Sequence, residues 1–299
     1  APSYTFQVTG FKNSQTTSSA SGYSAPTCTS SYSSTTNVSS SPLTISCSGG
    51  SATNYNFTTT ATANLTISKT TIYATPDAKN VTYGDSAPSY TFQVTGFKNS
   101  QTTSNAAGYS APTCTSSYSS TTNVSSSPVA ITCSGGSADN YSFSYNSASV
   151  TIAKIATLTI TAANKSVNFG NSFTNSYSTT GLGSGVISGL TYTYAGTGGT
   201  TYAASTTAPT APGSYSITPS AVTFSTGATG NYTTITYTAG SLTISPASLV
   251  ITANSPSAIT YGDNTPANGY STTGLGSGVI SGLTYTYAGS GSTIYASST

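Results

Sequence analysis

The 299-residue sequence contains no Arg, Glu, His, Met or Trp, and only 3% of its residues are charged. An average soluble domain carries about a quarter charged residues. Each absence excludes a class of function. General acid–base chemistry near neutral pH draws mostly on His or on carboxylates with shifted pKa. Here there is no His, and the carboxylates are four scattered Asp at 77, 85, 139 and 263. Ser nucleophiles abound, but Lys alone is present to activate one. The chain therefore reads as non-catalytic and without a cofactor. Six Lys spread along it give a net charge of +2 and no basic patch, so nucleic acid is not an expected partner. No run approaches the roughly 18 consecutive apolar residues that would span a bilayer, so no membrane insertion is expected of this segment. No signal peptide, sorting tail or lipidation motif is visible.

What is present points to one fold class. Roughly two residues in five are Ser or Thr, and 23 are Tyr. Disordered chains are usually charge-rich and poor in aromatic and β-branched residues. This chain has the reverse bias: Val, Ile, Thr, Tyr and Phe fit a half-buried pleated surface. Tyr90, Phe92 and Val94 alternate with polar neighbours, as do Tyr141, Phe143 and Tyr145, Tyr192 and Tyr194, Tyr215 and Ile217, Val222 and Phe224, and Ile235 and Tyr237. Such alternation puts apolar side chains on one face of a strand. Gly, Pro, Asn and Ser punctuate the runs at short intervals, which is the pattern of an all-β sandwich or barrel.

Two kinds of internal repeat organise the chain. "APSYTFQVTGFKNSQTTS" at Ala1 returns at Ala87, "SSYSSTTNVSSSP" at Ser30 returns at Ser116, and "CSGGSA" at Cys47 returns at Cys133. The second kind is marked by "STTGLGSGVISGLTYTYAG", at Ser178 to Gly196 and again at Ser271 to Gly289. Matching strands "TIYAT", "TLTITA" and "SLVITA" open units, and "NLTISK", "SVTIAK" and "SLTISP" close them. The boundaries predicted are 1–69, 70–154, 155–246 and 247–299. On this register the first unit lacks its opening strand and the last stops about halfway. That reads as a piece of a longer tandem array in preference to strand exchange between molecules, because the two ends are not complementary.

The succession "TIYATPDAKNVTYGD", "YTFQVTGF" and "GGSADNYSFSYNSASVTIAK" resembles the MBG domains, the mostly bacterial immunoglobulin-like repeats, and the related YDG-type repeats. The residues carrying the likeness are Tyr83-Gly84-Asp85, Gly96 and Asn140-Tyr141. Tyr261-Gly262-Asp263, Gly181 and Asn231-Tyr232 hold the same places in the second kind, and Phe169-Gly170-Asn171 is a looser match. The resemblance implies tandem immunoglobulin-like β-sandwiches of the sort found in stalks of very large secreted surface proteins, many of them adhesins.

Few residues stand out as chemical sites. Cys28 and Cys47, and Cys114 and Cys133, share one spacing within the first repeat kind. A zinc site would need four ligands and hence two converging domains. A disulfide in each repeat needs only two adjacent strands, and implies an oxidising, extracellular setting. Calcium would want six to eight oxygens, which one Asp per domain cannot supply. Asp85 and Asp263 are therefore expected to bond their own turn backbone, and no metal is expected. Lys69 and Lys154 raise the thought of an isopeptide bond to Asn. Acids are almost absent and Pro246 takes the equivalent place, so solvated lysines at domain joints are expected. Eight Asn-x-Ser/Thr sequences, at Asn37, Asn56, Asn64, Asn80, Asn123, Asn140, Asn164 and Asn231, are formal sugar acceptors. With Ser and Thr this common, most arise by chance.

The joints hold at most two or three residues between strands, too few for a flexible coil. An extended rod is therefore expected, each sandwich adding roughly 35–45 Å at about 3.3 Å per strand residue. An uncharged surface repels its copies only weakly, so other copies of the chain are expected partners in a fibre or sheath. The leading expectation is a structural stalk. The alternative is an adhesive module whose Tyr-rich loops, such as "GLTYTYAG", contact glycans or another cell.

Overall fold

Side-chain alternation, not local propensity alone, sets where the strands run. In "TTIYATP" the residues Ile72, Ala74 and Pro76 are buried while Thr71 and Tyr73 face outward. A period of two is what a sheet with one dry face requires. The computed structural model describes residues 2–290 except 60, 261, 265, 276–278 and 289. Tyr261 of the last Tyr-Gly-Asp sequence, and residues 276–278 and 289 of the last long repeat, lie outside the described residues. The architecture is all-β, and three short 3-10 turns are the only helical elements among the described residues. None of these is long and apolar enough to cross a membrane.

The first 69 residues give β1 (Thr27–Thr29), β2 (Leu43–Ser48) and β3 (Ala63–Leu65), one sheet in that order. Residues 70–153 give β4 (Thr70–Pro76), β5 (Lys79–Thr82), β6 (Phe92–Thr95), β7 (Thr113–Ser116), β8 (Val129–Ser134), β9 (Tyr141–Tyr145) and β10 (Ser147–Ala153). They form a three-stranded sheet β6-β4-β9 and a four-stranded sheet β5-β10-β8-β7. The sheets pack face to face, β4 against β8 and β10. Ile72, Ala74, Ile131 and Val150 are fully buried between them. Two pairs run parallel: β4 with β9, and β5 with β10.

The next repeat gives β11 (Ile155–Ala162), β12 (Lys165–Asn168), β13 (Tyr177–Thr180), β14 (Val186–Thr197), β15 (Gly213–Thr226), β16 (Tyr232–Thr238) and β17 (Gly240–Ser245). Its sheets, β13-β11-β16 and β12-β17-β15-β14, have the same strand order with every label advanced by seven. Finally, β18 (Val250–Ala253) pairs antiparallel with β19 (Tyr270–Thr273).

By spatial clustering the chain falls into two compact units. One is Ala1–Ile155 with Gly183–Val186 and Thr226–Thr233; the other is Ala156–Leu182, Ile187–Ser225 and Thr234–Thr299. The core of the second unit gathers Ala162, Tyr194, Tyr215, Ile217, Leu242 and Ile244.

Two segments of the first repeat differ from their counterparts in the second. Residues 6–9 and 55–59 occupy the places of β6 and β9, yet neither is a strand. In the second repeat both of those strands pair with β4.

Because Ile72 is wholly buried at the centre of its sheet, Ile72→Ala should lower stability by about 2–4 kcal/mol. Thr71→Ala, on the outward face of the same strand, should change it by less than about 0.5 kcal/mol. Urea unfolding followed by tyrosine fluorescence measures both.

Candidate functional site

The residues singled out in the sequence sort into staples, hubs and turns. Cys28 pairs opposite Cys47 on β1 and β2, and Cys114 opposite Cys133 on β7 and β8. Both pairs are disulfides, with Cα atoms 3.9 Å apart in each. Their side chains alternate to the inner face, and Cys114 and Cys133 are buried. Each bridge joins neighbouring strands of one sheet, so it locks register rather than tying two sheets together. The third repeat has no Cys; its hairpin β14–β15 instead runs 12 and 14 residues, against four and six in β7 and β8.

Tyrosine forms the hubs. Tyr141 opens β9 with its ring buried against Phe97, centroids 5.2 Å apart and edge-on at 76°. Edge-to-face pairs of this kind add to the area they bury. Its hydroxyl donates to Gln101 Oε1 at 2.5 Å and accepts the Lys98 backbone N–H at 3.2 Å. Tyr55 repeats every contact with Phe11, Gln15 and Lys12. In the second unit, Tyr194 is buried edge-on to Phe173, and its hydroxyl accepts from Asn175 Nδ2 at 2.6 Å. The segment "GLTYTYAG" at 189–196 is thus strand β14, not a loop, and its second tyrosine is a core residue.

The acidic turns behave as expected of turn residues. The Asp85 carboxylate accepts the Thr82 N–H at 2.7 Å, and Asp263 accepts the Thr260 N–H at 2.8 Å. Among the described residues, no three His, Cys, Asp or Glu side chains gather into a group able to hold a metal ion. Gly96, which carried part of the family likeness, has a φ of +97°, and a Cβ there would stand 3.1 Å from the Thr71 carbonyl oxygen. Only glycine takes that backbone shape beside a neighbouring strand without strain. Lys69 is exposed, in line with a solvated joint residue, and its Nζ donates to the Ala138 carbonyl at 3.0 Å.

Burial raises several phenol pKa values. Desolvation lifts Tyr109 and, aided by the Asp85 charge and by Tyr90, Tyr118. Tyr83 is raised by burial, partly opposed by the Asn231 amide. Tyr232 is pushed up to about 12, by burial first and by Tyr83 second. Each raised value means that the folded chain holds its proton where the unfolded chain releases it.

Two measurements follow. Replacing Cys114 and Cys133 with Ala should lower stability by about 3 kcal/mol through loop entropy in the unfolded chain, seen as a lower urea midpoint. On the alkaline side, the tyrosine contribution is intact below pH of about 10 and is lost as pH rises through about 12. Tyrosinate absorbance should therefore titrate in two groups, with the later one rising together with unfolding.

Comparison with known proteins bears on the second repeat. Residues 72–151 match the family model of the MBG domain (YGX type). The match runs from within β4 to within β10 and contains Tyr83-Gly84. That repeat is an MBG-type domain, as its resemblance implied. No curated protein matches the chain.

Proposed function

We propose that this chain, whose second repeat is an MBG-type domain, is a non-catalytic stalk segment of a large secreted cell-surface protein. In this reading its immunoglobulin-like sandwiches follow one another as a stiff, extended rod. The observation carrying it is the lack of slack between repeats: Lys154 alone separates β10 from β11. A one-residue connection cannot act as a flexible coil. Disulfides in both copies of the first repeat kind fit an oxidising compartment outside the cell. A surface almost without ions gives contacts that salt screens little. It also gives copies little mutual repulsion, so self-association along a fibre or sheath is the partner expected.

The adhesive alternative, a module contacting glycans or another cell, rests on tyrosine. Part of that tyrosine is committed elsewhere: Tyr141, Tyr194 and Tyr215 are buried and their hydroxyls bonded.

Small-angle scattering tests the rod. A compact 299-residue protein would have a radius of gyration of about 19 Å. Four repeats in line, the last of them partial, at roughly 35–45 Å for each full one should give about twice that. A value near the compact figure would refute the stalk, and saturable binding on a glycan array would favour the adhesive module.

A further inference from the structure

One side chain in the compact unit built on residues 1–155 is polar, nearly sealed and contributed by the following repeat. Asn231 is 1% exposed. It ends the short turn Thr229–Asn231, just ahead of β16. Its Oδ1 accepts the backbone N–H of Val124 at 2.9 Å, and its Nδ2 donates to Asn123 Oδ1 at 2.8 Å. Asn123-Val124 belongs to "NVSSSP" in the second repeat.

The same arrangement occurs one repeat earlier. Asn140, just ahead of β9, accepts the Val38 N–H at 2.8 Å and donates to Asn37 Oδ1 at 2.8 Å. Asn37-Val38 is the first copy of that sequence. Two joints, one between repeats of the same kind and one between repeats of different kinds, thus make the same pair of bonds in the same sense.

We infer that this pair is a docking site by which a repeat of the first kind recognises the repeat that follows it. The reader is Asn-Tyr at the start of the penultimate strand, and the surface read is Asn-Val before the Ser-Ser-Ser-Pro turn. The chemistry is selective. A primary amide offers one acceptor and one donor in a fixed plane, matching one N–H and one side-chain carbonyl. Asp would accept from the N–H but set a carboxylate against the Asn oxygen. Ser is too short to reach both partners. At the second joint the clamp is backed by close packing. Tyr83 meets Tyr232 edge-on at 6.1 Å. A Cβ on Gly84, where φ is +96°, would lie 2.8 Å from Gly183 Cα.

An ordering rule follows. Asn-Tyr is present in both repeat kinds, as Asn140-Tyr141 and Asn231-Tyr232, so either kind can follow the first. Residues 155–246 contain no Asn-Val, so this clamp cannot form on the far side of the second kind. The four asparagines also sit in Asn-x-Ser/Thr sequences, and the docking role accounts for their recurrence without sugar. The inference concerns the joint alone and stands whether or not the array serves as a stalk.

Amide hydrogen exchange on the full 299-residue chain tests it. Asn231→Ala should speed exchange at Val124 about tenfold or more, leaving Val38 and the buried amides of β8 unchanged. Asn140→Ala should do the reverse, exposing Val38 and sparing Val124. Should either Ala variant fail to fold, Asn123→Ala serves instead. It removes only the amide–amide bond, and should speed Val124 less than Asn231→Ala is expected to. Unchanged Val124 exchange in a folded Asn231→Ala chain would overturn the inference, as would equal acceleration at both valines. So would Asn123→Ala leaving Val124 untouched.

Discussion

The double pairing of β4 is the constraint on which each complete sandwich depends. This strand hydrogen-bonds β6 on one edge and β9 on the other, while Ile72 and Ala74 fill the gap to the opposite sheet. Residues 6–9 of the first repeat carry the same sequence as β6 but form no strand, and Phe6 stands 40% exposed. Identical local sequence is thus strand in one place and coil in another. Strand propensity is a statement about fit to neighbours as much as about the residues themselves.

The third repeat separates what topology needs from what merely reinforces it. It keeps the strand order of the second while lacking cysteine altogether. Register that a disulfide pins in β7–β8 is held in β14–β15 by length, through extra ladder bonds and the inward residues Tyr194, Tyr215 and Ile217. A one-residue slip in so long a hairpin would turn its whole buried set outward, which makes the slip costly without any covalent staple. The bridges in the first repeat kind are thus a solution for short strands, four and six residues long, whose ladders specify register weakly.

Much of this could be read from the residues alone, for physical reasons that are local. Alternation marked the strands, equal spacing marked the cysteine pairs, and the Asp of Tyr-Gly-Asp announced a turn that closes on its own backbone. Strand partners were less legible. Nothing in "TTIYATP" or "YSFSY" says that they run parallel, because direction depends on the path between them and not on either sequence. The bond from Lys69 to the Ala138 carbonyl was not legible either, because a backbone acceptor leaves no trace in composition. The clamping asparagines were visible as sugar-acceptor sequences and as part of a family likeness. Their recurrence at matched places in two otherwise divergent repeat kinds was the signal, but only distances show that each reaches into the repeat before it.

The scarcity of charge and the choice of asparagine fit one logic. Burying an ion requires a partner and several further hydrogen bonds to offset desolvation. A chain with 3% charged residues has few partners to offer. Neutral amides, phenols and hydroxyls can be sealed with one or two bonds each, as Asn231 and Tyr141 are. Such contacts do not lean on long-range attraction, so ionic strength acts on them weakly. The same economy explains where pH reaches the structure. Carboxylates and amines are sparse, and folding raises the pKa of several phenols, that of Tyr232 to about 12. Strong alkali therefore meets tyrosines that folding keeps protonated, and it is there that protonation and the packing of the core are coupled.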